Sequence, residues 1–133
     1  MGRAGLTLLG VFVAMSGVVS AHHGYAGFFR DRTVVIEGNL ESLHYANPHV
    51  VMRVRTADDT VYTVTWQAAT WVEQVAGVTR TTFAAGDHLV ISAAPSRDPA
   101  SHDLAMVREV RRPSDGWQWH RQEPRAVLPP PAH

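Results

Sequence analysis

Between Thr33 and Trp66 apolar and polar residues alternate in three runs separated by turn residues, the period of strands with one face in a core. The first run, Thr33 to Tyr45, sets Ile36, Gly38 and Leu40 on one face but Leu43 and Tyr45 on the other. One extra residue reverses the side of every later side chain, so the switch predicts a bulge or sharp bend, near Gly38 or further on. Ala46-Asn47-Pro48 is a turn by its chemistry, with Asn47 and Pro48 in structural roles. The second run, His49 to Thr56, puts Val50, Met52 and Val54 inward and Val51, Arg53 and Arg55 outward. After a turn at Ala57-Asp58-Asp59 the third run, Thr60 to Trp66, places Tyr62, Val64 and Trp66 on one face.

The period then changes. Ala68 to Gly77 reads as a short helix, with Trp71, Val72 and Val75 as its apolar side, Thr70 and Glu73 at capping-box spacing and Gly77 as its stop. Gly86-Asp87 turns the chain into a strand from His88 to Ala94, with Leu89, Ile91 and Ala93 alternating. Beyond a polar loop, Asp103 to Arg112 fits a fifth strand, though its residues also suit a helix. A turn at Pro113 to Gly116 leads to Trp117 to Arg121, a short returning strand. This order predicts a mainly β fold, a five-stranded OB-like Greek-key barrel with one short helix between strands 3 and 4. A small open antiparallel sheet carrying one helix is the competing arrangement.

Residues 1–21 have a different pattern. Arg3 and the amino terminus supply positive charge, Leu6 to Met15 are mostly apolar, and Val19-Ser20-Ala21 offers small residues to a peptidase, so the segment reads as a secretory signal. A membrane anchor needs about 20 apolar residues. This stretch is shorter and is broken by Gly5, Gly10 and Gly17. The division expected is a signal peptide at 1–21, one β-barrel domain at 22–123 and a proline-rich, disordered tail at 124–133, in a periplasmic or secreted protein. About 110 mature residues suffice for one modest core.

Composition narrows the chemistry. The chain has no cysteine, which excludes disulfides, thiolate metal sites and cysteine nucleophiles. Its 12 basic and 12 acidic residues balance, and the basic residues are all scattered arginines, so no field that would gather nucleic acid or anionic lipid is expected. Eight histidines in 133 residues are the one compositional pointer to a metal or to acid-base work. No G-x-S-x-G, H-E-x-x-H or phosphate-binding glycine loop occurs, and Glu37 and Glu41 stand on a strand face with no evident partner in the sequence.

The stretches AHHGYAGFF, EGNLESLHY, ANPHVVMRV and FAAGDHLVISAAPSRD together resemble a family of small exported bacterial proteins of unknown function, with His-His after the signal peptide and an Asn-Pro-His motif. The resemblance runs to about Val110 and carries over His22, His23, Asn47, Pro48 and His49; Trp117 to His133 has no counterpart in it. It implies a barrel-like β-domain in the periplasm and no established activity.

Cleavage after Ala21 would leave His22 first, where its α-amine and imidazole can close a chelate ring on one Cu²⁺ and one further imidazole completes a T-shaped site. His23, His49 and His44 are the candidates for that position. Cleavage one residue earlier would place a histidine third, a pattern that chelates Cu²⁺ or Ni²⁺ through backbone nitrogens. Nitrogen donors and the affinity order of the divalent metals favour copper. The bland alternative is that His22 and His23 are solvated residues near a terminus and that His49 only begins a strand. A second reading gives Trp117 and Trp119, alternating on one face, to an organic ligand or protein partner, with Trp66 and Trp71 in the core.

Overall fold

The computed structural model describes residues 24–122. A single 3-10 turn at Tyr25–Gly27 precedes β1 (Val34–His44), β2 (Val51–Thr56), β3 (Val61–Thr65), α1 (Ala69–Ala76), β4 (His88–Pro95), β5 (Asp103–Arg112) and β6 (Trp117–His120). The first three strands form an antiparallel meander, and β1 also pairs antiparallel with β4, which pairs with β5. A short parallel ladder, Thr63 to Thr65 against Asp103 to Ala105, joins β3 to β5 and closes the barrel. The circuit β1-β2-β3-β5-β4 with one helix between β3 and β4 is the five-stranded barrel expected, and the open sheet is excluded. No helix of the described residues is long and apolar enough to cross a membrane.

The bulge lies beyond Gly38. Pairing of β1 with β2 slips between Leu40 and Ser42, making Glu41 the extra residue. Upstream of it Ile36, Gly38 and Leu40 are buried; downstream the parity reverses and Tyr45 is buried while His44 is exposed. Gly38 answers a separate need, because β2 crosses so closely that a Cβ there would overlap the Arg55 carbonyl oxygen and stand 2.7 Å from its carbon.

Val50, Met52, Val54, Val64, Trp66, Leu89, Ile91 and Val110 form the centre of the core, each fully removed from solvent. Strand β4 is buried on both faces, Val90, Ser92 and Ala94 as well as Leu89, Ile91 and Ala93. Strand β5 divides one of its edges between two partners, with residues 103–105 on β3 and residues 109–112 on β6. Met106 lies between the two pairings with φ of 51°, and the β4–β5 register slips at the same place. A left-handed residue at a bulge is how a strand bends enough to change neighbours.

Two details of the helix differ from expectation. Its N-cap is Ala68, with no side-chain cap, so Thr70 lies two positions inside and the capping box with Glu73 does not form. The chain leaves extended backbone already at Ala68 (ψ 146°), so the helix starts two residues earlier than the box requires. Ala69 and Val72 are the buried positions, while Val75 is 53% exposed and does not belong to the packed side. Gly77 ends the helix in the left-handed conformation, φ 66°.

Candidate functional site

The loop from β1 to β2 is held from three directions. Tyr45, buried at the end of β1, shares its hydroxyl proton between the carbonyls of Ala69 (3.2 Å) and Val78 (2.9 Å), tying the loop to both ends of the helix. Burial, with Glu73 nearby, raises the Tyr45 pKa, while Arg80 acts the other way, so the hydroxyl stays a proton donor. Asn47 and Pro48 follow, joined by a cis peptide bond. Val50 then donates its N–H to the Gln67 carbonyl and accepts from Trp66 N–H, at 2.9 and 2.8 Å.

His49 stands between these anchors, partly buried, with Nδ1 3.2 Å from the Trp66 carbonyl oxygen. A carbonyl oxygen only accepts, so Nδ1 carries the proton and the Nε2 lone pair of the neutral ring is left for another partner. Metal-ligating histidines are commonly oriented in this way, with the non-ligating ring nitrogen donating to a backbone carbonyl.

The amino-terminal segment lies over the same end of the barrel. Phe28 bridges to Ser96, Phe29 N–H donates to the Pro95 carbonyl (3.0 Å) and Arg97 N–H donates to the Gly27 carbonyl (2.8 Å). The Phe29 ring lies between the guanidinium groups of Arg32 and Arg97, 4.0 and 4.8 Å from its centroid. Thus fixed, Gly24, Tyr25 and Phe28 form one wall of a groove of about 390 Å³ that is completed by Pro48, His49, Thr65 and Ala105.

His22 and His23 lie outside the described residues. His44 is exposed at the end of β1, opposite Val51, and does not line the groove that holds His49. Among the described residues no three histidine, aspartate or glutamate side chains converge as a metal site.

Trp117 and Trp119 are half-buried on the inner side of β6. Trp119 packs against Trp66 (centroids 5.0 Å apart) and Trp71 (6.3 Å), and Trp117 meets Phe83 edge-on at 5.0 Å. Trp66 is in the core, as expected, whereas Trp71 is only partly buried and borders, with Trp119, Gln118 and Val75, a second groove of about 540 Å³.

A polar cluster on the outer face of β1 was not foreseen. Glu37 accepts from His88 Nε2 at 2.8 Å, His88 Nδ1 lies 3.0 Å from Asn39 Oδ1, and Glu41 pairs with Arg55 at 2.5 Å. Both carboxylates that lacked an evident partner therefore have one. The signal was in the register, because Asn39 faces His88 across the β1–β4 ladder, and that pairing joins residues about fifty positions apart.

Residues 11–105 match the sequence profile of DUF6152, a family of unknown function. The chain belongs to this family. No curated protein and no solved structure matches it. The DUF6152 match takes in every residue lining the His49 groove, from Gly24 to Ala105, and stops before Trp117 and Trp119.

Proposed function

We propose that the protein is a non-enzymatic binding module of the periplasm, or secreted, that takes up copper through the mature amino-terminal histidines His22 and His23 and buffers or passes on the ion. One observation carries the reading: Gly24, one peptide bond after His23, lines the same groove as His49. In the sequence His23 immediately precedes Gly24, and the groove that Gly24 lines presents the imidazole of His49. With no cysteine in the chain, nitrogen donors are what this end of the molecule offers, and they suit Cu²⁺.

The test is titration of the signal-cleaved protein, free of any added amino-terminal residue, with Cu²⁺ against a chromophoric competitor. Tight one-to-one binding that is lost in the His22→Ala/His23→Ala double variant is expected. Binding that survives the double substitution unchanged would refute the reading.

A second reading has one observation in its favour, the groove beside Trp71 and Trp119. There an organic ring would stack on an indole face, with the histidines incidental. Quenching of tryptophan emission by a ring-bearing ligand, abolished in Trp119→Leu and indifferent to the histidines, would favour it over copper.

A further inference from the structure

We infer that the outer edge of β6 docks an extended acidic segment of a partner protein, which joins the sheet as a further strand and lays its apolar side chains on Trp71 and Val75. The inference rests on the second reading above, which gives this groove a ligand, and deepens it by naming the ligand a peptide held through its backbone.

The register decides which backbone groups of β6 are available. Glu109 faces His120 and Val110 faces Trp119, so Arg108 faces Arg121, and the Arg121 N–H donates to the Arg108 carbonyl at 2.7 Å. In an antiparallel ladder every second opposed pair exchanges hydrogen bonds. Trp119 and Arg121 therefore turn their backbone groups towards β5, while Gln118 and His120 turn theirs away from it. Among the described residues β6 pairs with β5 alone. Apart from its shortness, it has none of the lysines, prolines or bulges that blunt an edge.

Gln118 and His120 also line the groove of about 540 Å³ whose other wall is α1. Trp71 and Val75, one turn apart on the same side of that helix, present an apolar surface to the groove, and Val75 is exposed. An extended chain repeats every second residue, about 7 Å, which is also the spacing of Gln118 and His120 along β6. Laid beside the strand, its N–H and C=O groups meet theirs while alternate side chains fall on the α1 wall. Charge then selects the class of segment. Arg121 borders the groove, and no carboxylate is among the described residues that line it. An apolar segment carrying aspartate or glutamate complements this surface, and a basic one is repelled.

The experiment titrates the isotope-labelled, signal-cleaved protein with the synthetic peptide acetyl-Glu-Val-Thr-Val-Thr-amide and with its Lys-for-Glu counterpart. The acidic peptide should shift the Gln118 and His120 amide resonances saturably and slow their hydrogen exchange. The basic peptide should bind at least about tenfold more weakly, and Arg121→Glu, a change at an exposed position, should invert the preference. Methylation of alternate peptide nitrogens, which leaves charge and side chains intact, should abolish binding. Unmoved amides at Gln118 and His120, a methylated peptide that binds equally well, or a preference indifferent to Arg121→Glu would overturn the inference. So would protection of both amides in the free protein, which at every concentration would mean that the chain covers its own edge and, if it grew with concentration, that a second copy does. Quenching by a ring-bearing ligand, lost in Trp119→Leu, would still judge the parent reading by itself.

Discussion

Asn47 Oδ1 accepts the backbone N–H of Thr70 at 3.4 Å, so a loop residue 23 positions upstream caps the helix that Ala68 leaves uncapped. This bond satisfies one of the free N–H groups in the first turn. Asn47→Ala should lower stability by about 1 kcal/mol, the usual worth of a cap. Thr70→Ala, which removes a hydroxyl that caps nothing, should stay within about 0.5 kcal/mol of wild type. Urea denaturation of the two variants side by side checks the contrast.

The hydroxyl of Tyr45 serves the same loop from the other side. Tyr45→Phe leaves two carbonyls without that donor and should cost about 1–2 kcal/mol. The sign of the pH effect follows from the raised pKa. A group whose folded pKa exceeds its unfolded value adds stability that is complete below the unfolded pKa and disappears as pH rises through the folded one. Wild type should therefore lose stability above about pH 10, the ordinary tyrosine value. Tyr45→Phe should flatten that alkaline limb, as seen in thermal midpoints measured across the alkaline range.

At Gly38 the constraint is steric. In Gly38→Ala the new methyl group would overlap the Arg55 carbonyl, so β1 and β2 must separate locally or the variant must strain. A loss of about 1–3 kcal/mol or more is expected, the range for overpacking. Hydrogen exchange should show it first at Gly38 and Thr56, which face each other in the ladder.

Much of this architecture was legible in the chain, for identifiable reasons. Strands β1 to β3 follow one another directly, so alternation reports their inner faces. The reversal of parity between Leu40 and Leu43 located the bulge to within a few residues. What stayed hidden depends on pairings between distant segments. The Asn47 bond to Thr70 and the Glu37–His88–Asn39 cluster exist only once β1 lies against the helix and β4. The helix misled for a local reason, since a spacing of three between Thr70 and Glu73 fits a capping box only if the helix starts at Thr70. Of the candidate metal ligands, the sequence pointed to His49 by its motif but could not show the carbonyl that orients it.

Arg112 joins three segments, bonding Asp115 (2.8 Å), Asp87 (2.9 Å) and the Thr82 carbonyl (2.7 Å). Its guanidinium and the Trp117 N–H hold the Asp115 carboxyl below its ordinary pKa. A depressed folded pKa adds stability that is present above the unfolded value and is lost as pH falls through the folded one. Acid titration should weaken the turn before β6 below about pH 4. Asp115→Asn should remove that part of the pH dependence, read from backbone amide exchange at Gly116 and Trp117.

If the protein takes up copper as proposed, that binding should depend on pH in a less acidic range. The ion displaces protons from imidazoles with ordinary pKa near 6.5 and from an α-amine near 7.7–8.0. Apparent affinity of the signal-cleaved protein should fall steeply between neutrality and about pH 5, and the His22→Ala/His23→Ala variant should lose most of this slope. Competition titrations at several pH values measure it, and a flat profile in the intact protein would contradict chelation at the terminus.

The short parallel ladder of β3 and β5 also sets an order of events in folding. It joins residues about forty positions apart, so its loop-closure cost falls due after the β1–β3 meander has formed from local contacts. A chain ending before Asp103 would leave β3 and β4 as open edges, the state from which strands pair with other chains. Thr65 and Ala105, partners in that seam, are also walls of the groove around His49. The groove is therefore a product of the final closure, and a nascent or half-folded chain does not possess it.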